Sequence, residues 1–378
     1  MTHTAVVPLG DIADLQAGVG FPPDLQGRTS GDYPVAKVGD ISRVGRTGAA
    51  VINTADHFVD EIDLVRLKAR PIPVGSVLFA KIGEAIRQNH RVIAGCELLV
   101  DNNAMAAIPT ERVESRYLFH FLRTVDFYAL ASATTVPALR KSDLQRLPVP
   151  LPPLHEQRRI AEVLDKADSL RAKRRASIAQ LDTLMQSIFL DMFGDPATNS
   201  KGWPVKRIED ITECLDRLRR PVTESDRKPG NVPYYGANGQ QGWIDTALFD
   251  EPLVLVAEDG GYFDAPERGV AYRIDGPAWV NNHAHILRAI PTHADTEFLH
   301  RALRHFNFLP FISGTTRAKL TQGQLNAVKL YVPPLDLQRQ FGERVAGVQR
   351  IVQVTASSSD QFDELFAALQ HSAFRGEL

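Results

Sequence analysis

Apolar residues recur at Ile160, Leu164, Ala167, Ile178, Leu181, Met185, Ile188 and Met192, with Arg171 and Arg174 filling the two remaining places. The steps alternate four and three, the heptad seam of a coiled coil. The pattern predicts one long helix. Pro152-Pro153 stand at its start, and Phe193-Gly194-Asp195-Pro196 close it with a glycine and a proline stop. At 1.5 Å per residue, roughly 38 residues make a helix about 57 Å long. The seam returns 181 residues later as Phe341, Val345, Val348, Val352, Thr355, Ser359, Phe362, Phe366, Leu369 and Ala373.

That offset extends beyond the helices. Thr134-Thr135-Val136-Pro137-Ala138-Leu139 recurs as Thr315-Thr316-Arg317-Ala318-Lys319-Leu320, and Pro152-Pro153-Leu154 with Gln157-Arg158 recurs as Pro333-Pro334-Leu335 with Gln338-Arg339. The chain is thus two copies of one unit. Each copy opens with a mixed region whose short apolar runs, Val77-Leu78-Phe79-Ala80 and Val254-Leu255-Val256-Ala257, read as buried strands followed by turns. Val100-Asp101-Asn102-Asn103 and Val280-Asn281-Asn282-His283 are a further shared landmark, as are Leu9-Gly10-Asp11-Ile12 and Ile208-Glu209-Asp210-Ile211. The landmarks keep their order while the spacing between them varies, and variable loops on a kept frame are where recognition usually sits. The expected architecture is α+β and pseudo-twofold, with mixed regions over 1–152 and 197–333 and long helices over 153–196 and 334–378.

An apolar stripe does not stay in water, so the two helices are expected to bury theirs against each other as an antiparallel coiled coil rather than each on its own mixed region. The interface residues would be Ile160, Leu164, Ile178, Leu181, Met185 and Ile188 against Val345, Val348, Val352, Phe362, Phe366 and Leu369. Pairing about the midpoints sets Arg174 near Ser359 and Arg171 near Phe362. The arginines could simply snorkel to the edge. A sharper expectation is that Arg174 meets Asp360 and fixes register.

Charge adds a constraint. Lys+Arg number 43 and Asp+Glu 45, and no segment is basic: 16 against 16 over 1–150, 7 against 7 over 151–200, 16 against 16 over 201–331 and 4 against 6 over 332–378. A nucleic-acid binder of this composition must sort its positive charge onto faces, or share the grip with a partner. The N-terminal sequence has no signal-peptide pattern, and no apolar run is long enough to span a membrane. Cys96 and Cys214 fit no metal spacing and read as free thiols of a cytoplasmic protein.

Catalytic motifs are absent: no Walker A loop, GxSxG, HExxH or CxxC occurs. Gly18-Val19-Gly20 lacks the third glycine of a dinucleotide loop. His283 and His285 would share a strand face, but no third metal ligand is evident, so no metal site is expected. What remains suits DNA, because arginine fits guanine edges and asparagine or glutamine fits adenine edges. Candidate contacts in the first copy are the loop residues Arg43, Arg46, Lys81, Arg87, Asn89 and Arg91, with Arg140 and Lys141. In the second copy they are Tyr235, Asn238 and Gln240, with Arg317 and Lys319. Thr134, Thr135, Thr315 and Thr316 could offer hydroxyls to phosphate oxygens or cap helices.

Leu151-Pro152-Pro153-Leu154-His155-Glu156-Gln157-Arg158-Arg159-Ile160 and the long helix after it resemble the central conserved region of type I restriction–modification specificity subunits. Ser187-Ile188-Phe189-Leu190-Asp191-Met192-Phe193-Gly194-Asp195-Pro196, then Lys201-Gly202-Trp203-Pro204, is similar to that family's junction into its second recognition domain, and Ser372-Ala373-Phe374-Arg375-Gly376-Glu377-Leu378 to its usual ending. The second helix departs from the pattern, with Leu335-Asp336-Leu337-Gln338 lacking the Glu-Gln pair. The resemblance implies two target recognition domains, each reading one half of a split duplex DNA sequence, on a non-catalytic, DNA-binding subunit. It also implies that the helices dock two methyltransferase subunits. Those subunits would bind S-adenosylmethionine, and restriction/translocase subunits would use ATP and Mg. Other readings are a repeat scaffold that grips protein partners, and a methyltransferase or nuclease with a degenerate site.

Overall fold

The computed structural model describes residues 4–132, 136–196, 198–313 and 318–378, and for 356–360 the helical backbone alone. The heptad segments are helices, the central one over Leu154–Phe193 and the C-terminal one over Leu335–Arg375. The chain divides into two compact units, residues 1–177 with 355–378 and residues 178–354. Each unit therefore holds one mixed region and half of both long helices.

In the first unit, strands β1 (Ala13–Ala17), β2 (Tyr33–Ala36), β3 (Val51–Ile52), β4 (Phe58–Val59), β5 (Val77–Ala80), β6 (Arg91–Ala94), β7 (Leu99–Val100) and β8 (Ala104–Pro109) form two sheets, ordered β1-β8-β5-β6-β3 and β4-β2-β7. β5 is buried at every position, as its unbroken apolar run implies. Helix α1 (Val38–Thr47) follows β2, and α2 (Ser115–Thr124) follows β8.

The second unit repeats the plan. Strands β9 (Thr212–Cys214), β10 (Val232–Gly236), β11 (Gly239–Ile244), β12 (Phe249–Asp250), β13 (Leu253–Ala257), β14 (Ala271–Ile274), β15 (Pro277–Val280) and β16 (Ala284–Ala289) form sheets ordered β9-β16-β13-β14 and β11-β10-β15-β12. Helix α3 (Thr296–Arg304) follows β16 as α2 follows β8. The parallel pairs β2–β7 and β10–β15 correspond, with Ala36 opposite Val100 and Tyr235 opposite Val280.

The repeated Pro-Pro-Leu-x-x-Gln stretch has a structural explanation. Gln157 is 1% exposed and Gln338 0%. The Gln157 side chain donates to Pro152 O (2.8 Å) and accepts from Glu114 N (2.8 Å), the N-cap of α2. The Gln338 side chain donates to Pro333 O (2.8 Å) and accepts from Asp295 N (2.8 Å), the N-cap of α3. One buried amide in each unit thus ties the first turn of a long helix to the start of a short one.

Within each unit the helix halves run antiparallel. In the first, Arg159 Nη2 donates to Leu378 O (2.7 Å) and Arg171 Nε to Asp363 (2.5 Å), while Ile160 and Leu164 share a core with Phe366 and Ala373. In the second, Phe189 and Phe193 pack on Phe341 with ring centroids 5.6 and 5.2 Å apart. The seam is not buried by helix pairing alone. Its outer turns also enter the mixed regions: Ile160 and Leu164 join Leu118 and Phe121, and Met185 and Val345 join Phe298 and Leu299. Ile178, Leu181, Ile188, Val348, Val352 and Leu369 are half-buried, and Phe362 is 37% exposed.

Arg171 also reaches Asp168 (2.9 Å) and lies over the Phe366 ring. Burial works against ionisation of Asp363, yet the hydrogen bond and charge of Arg171, then the charge of Arg175, hold its carboxyl below the usual range. Arg174 Nε donates to Thr355 O (3.2 Å), with its guanidinium over the Phe362 ring. The side chains of Ser359 and Asp360, invoked for register, lie outside the described residues.

Gln338→Leu strands the Asp295 N–H and the Pro333 carbonyl in the interior. It is expected to cost on the order of 3 kcal/mol in denaturant unfolding, and a loss no larger than an exposed substitution gives would refute the clamp. In the second unit Glu297, 2% exposed, accepts from Arg301 Nε (2.9 Å) and Arg273 Nη1 (3.1 Å). Burial opposes its charge, but His300 and Arg301 outweigh burial and bring its pKa down to about 2. A carboxylate lowered in the folded state adds stability that is complete above its unfolded value and lost as pH falls toward the folded one. Melting temperature should therefore decline between pH 4.5 and about 2, less steeply in Glu297→Gln.

Candidate nucleic-acid interface

Both units build the same edge at the ends of corresponding strands. After β5, Lys81 N donates to Asn103 O (2.7 Å), and Leu139 N donates to Lys81 O (2.9 Å). After β13, Glu258 N donates to His283 O (2.9 Å), and Leu320 N donates to Glu258 O (2.8 Å). Beside each strand end stands a hairpin base, Ser132 N to Ala138 O (3.0 Å) in one unit and Ser313 N to Lys319 O (3.0 Å) in the other. Thr134, Thr135, Thr315, Thr316 and Arg317, candidates from the sequence, lie outside the described residues. A side-chain turn completes the edge: Asp101 Oδ1 accepts from Asn103 N (3.2 Å), and Asn281 Oδ1 from His283 N (2.8 Å). Gly18 belongs to this edge rather than to a nucleotide loop, because a Cβ there would fall 1.9 Å from Asp101 O.

In the first unit Lys81 is half-exposed and Arg140 exposed, while Lys141 faces Asp14 at 3.7 Å. Arg87 is exposed, paired with Glu84 (3.1 Å) and stacked on the Tyr128 ring, 3.9 Å from its centroid. Arg43 and Arg46 are not in a loop. They lie on α1, where Arg43 is tied to Asp40 and to Asp56 (2.9 Å) and Arg46 is exposed. Gly45 between them packs against the His90 ring.

Two residues expected to contact DNA are structural. Arg91 is 4% exposed, 3.7 Å from the centroid of the Phe127 ring, and donates to His90 O (2.9 Å) and Asn89 Oδ1 (2.7 Å). Burial, then the neighbouring Arg123 cation, pushes its pKa below the usual guanidinium value. Asn89 sits at φ 53° in a turn, and its Oδ1 also accepts from Phe127 N (3.3 Å). Nothing in local sequence separates these two from Arg87; the burial of Arg91 and a bond to Asn89 come from the distant Phe127.

The second edge is more tightly bonded. Glu258 meets Arg219 at 2.5 Å and Lys319 at 3.0 Å. Burial raises the Glu258 carboxyl, but hydrogen bonds from Arg219 and Lys319 more than offset it and hold it below the usual range. Asn238 Nδ2 donates to Gly260 O (2.8 Å), Asn281 Nδ2 to Gln241 Oε1 (3.1 Å) and Gln240 Nε2 to Gly242 O (3.2 Å). Tyr235 is half-buried against Tyr272, and burial raises its hydroxyl pKa. Trp243, on edge strand β11 with Gln240 and Gln241, is 55% exposed. A large exposed ring beside amides fits a DNA edge, and sequence reasoning passed it over because a lone Trp carries no pattern.

Among the described residues, one group has metal-ligand spacing: Cys214, Asp216 and His285, the first two missed from sequence. Its bonds are already taken. His285 Nδ1 lies 2.5 Å from Asp216 Oδ2 and Nε2 2.7 Å from Leu320 O, and Asp216 Oδ1 accepts from Ile286 N (2.9 Å). Arg219, 3.3 Å from Asp216, supplies the positive charge an ion would bring. Burial pushes the Cys214 thiol up to about 12, away from the thiolate a metal binds. The cluster reads as a brace that holds Leu320, and so the hairpin base, to the sheet.

Both edges thus offer cations, amides and rings on loops held by backbone bonds. A family model described as "Type I restriction modification DNA specificity domain" matches residues 2–180 and 200–358. A putative type I restriction enzyme specificity subunit of Haemophilus influenzae is 33% identical over 136 residues, 36% of this chain; the match spans about a third (34%) of that relative's length. The putative type I restriction enzyme MjaX specificity subunit of Methanocaldococcus jannaschii is 19% identical over 375 residues, covering 92% of this chain and 87% of its own. The solved S subunit of a type I restriction–modification system from M. genitalium shares the fold, with a TM-score of 0.60 at 14% identity over 99% of this chain and 97% of that one.

Arg91→Ala is expected to lower stability by on the order of 3 kcal/mol, as other losses of buried networks do. An unchanged melting temperature together with weaker DNA binding would return Arg91 to the contact surface.

Proposed function

This chain belongs to the type I restriction–modification DNA specificity family, and from that premise we propose that it is the sequence-reading subunit of such a complex. Each unit reads one half of a split duplex target through its strand-end edge. The observation that carries this reading is the edge built twice, in the same order along the chain, with matching backbone bonds and differing side chains. A frame kept while its contact groups change is what two readers of different sequences need.

The chain does no chemistry in this reading. Methyltransferase subunits dock on the long helices, bind S-adenosylmethionine and methylate adenine. Restriction subunits use ATP and Mg. The complex acts in the cytoplasm, on DNA; no helix among the described residues is long and apolar enough to cross a membrane. A segmental charge near zero suits a subunit whose partners complete the grip on the phosphates.

Single-molecule methylation sequencing of cells expressing this chain with its methyltransferase subunit tests the reading. The expected result is a split motif with methyladenine in both halves, one half changing when residues 1–150 are exchanged for those of a relative. An intact complex with no such motif would favour the protein-scaffold alternative. The unspecified gap should also lengthen when one or two heptads are inserted after Ile178 and matched after Ser359, since half-sites on one DNA face recur about every 34 Å.

A further inference from the structure

The two edges share a backbone and differ in charge at the positions nearest the strand end. Lys81 and Glu258 occupy the same place, each donating its N–H to a turn carbonyl and accepting at its own carbonyl from the residue that follows the hairpin. Arg140 follows Leu139 in the first unit, and Thr321 follows Leu320 in the second. The first unit therefore has two cations where the second has an acid and a hydroxyl.

Their surroundings widen the difference. Among the described residues no carboxylate lies within ion-pair distance of Lys81 or Arg140; nearby Asp14 faces Lys141 at 3.7 Å and Glu84 faces Arg87 at 3.1 Å. Asp143 is exposed, without an ion pair, on the turn after Arg140. The Asp101 carboxylate points inward, onto Asn103 N and Nδ2 (both 3.2 Å). In the second unit Lys319 and Arg219 both terminate on Glu258, and His283 on Asp259 (2.8 Å). The outermost groups there, Asn238, Gln240, Gln241 and Trp243, are neutral and exposed.

We infer that the two units grip DNA unequally: Lys81 and Arg140 of the first unit hold backbone phosphates, whereas the corresponding strand end of the second unit reads through neutral groups, with Lys319 and Arg219 kept on Glu258. This rests on the DNA-binding reading above. A phosphate-bound cation releases a counterion, so each adds about 0.9 to the slope of log affinity against log salt, and a cation already neutralised by a carboxylate adds little.

The test is a salt titration of the full chain on a mixed-sequence duplex, with melting temperatures confirming that each variant is folded. Lys81→Gln with Arg140→Gln should reduce the slope by about 2, and each single change by about 1. Lys319→Gln should reduce it by much less, and Glu258→Gln, by releasing Lys319, should increase it. Equal reductions from the Lys319 and Lys81 variants, or no change from the double variant, would overturn the inference while leaving DNA binding intact. Failure of the parent chain to bind the duplex at low salt would instead overturn the DNA-binding reading, and this inference with it.

Discussion

A single buried amide joins each mixed region to its long helix, and the geometry of each unit follows from that bond. Two consecutive prolines bring the chain to the helix start with no backbone N–H to offer, leaving carbonyls that need a donor. Gln157 and Gln338 supply it, and with their oxygens they fix the N-caps of α2 and α3. The short helix is then aimed so that its apolar face meets the first turns of the seam. Tyr117 and Leu118 thereby share a core with Ile160 and Leu164, and Phe298 and Leu299 one with Phe341 and Val345. The sheet whose strand precedes each short helix is placed by the same bond.

What the clamp holds steady leaves the edge free to vary. Strand ends, hairpin bases and the Asp101 and Asn281 turns are fixed by backbone bonds that do not depend on which side chains project from them. Lys81 could therefore become Glu258 without disturbing the frame, provided that Arg219 and Lys319 closed around the acid. The brace of Asp216 and His285 stands beside that acid in the second unit, where a carboxylate cluster at a strand end needs cations and donors packed against it.

The repeat, the two long helices and the buried strands at Val77–Ala80 and Leu253–Ala257 were legible in the sequence, because each is written in local periodicity or at one fixed offset. The burial of Arg91 was not, since it depends on Phe127, which only the fold brings beside it. Arg43 and Arg46, expected on a loop, lie on a helix; Gly45 between them is there to admit the His90 ring. Nor was the shared burial of the seam legible, because a heptad records that a stripe is covered and not by what. Cys214 and Asp216 joined His285 only through strand pairing across the sheet.

The central claim is that one chain carries two readers for two separate stretches of one duplex. Selection from a random duplex library with the full chain, assembled with its methyltransferase partner, tests it most directly. The account predicts an enriched motif of two short specified segments at a fixed distance, with unspecified positions between them. A single uninterrupted motif, or enrichment of no sequence by an intact complex, would contradict it.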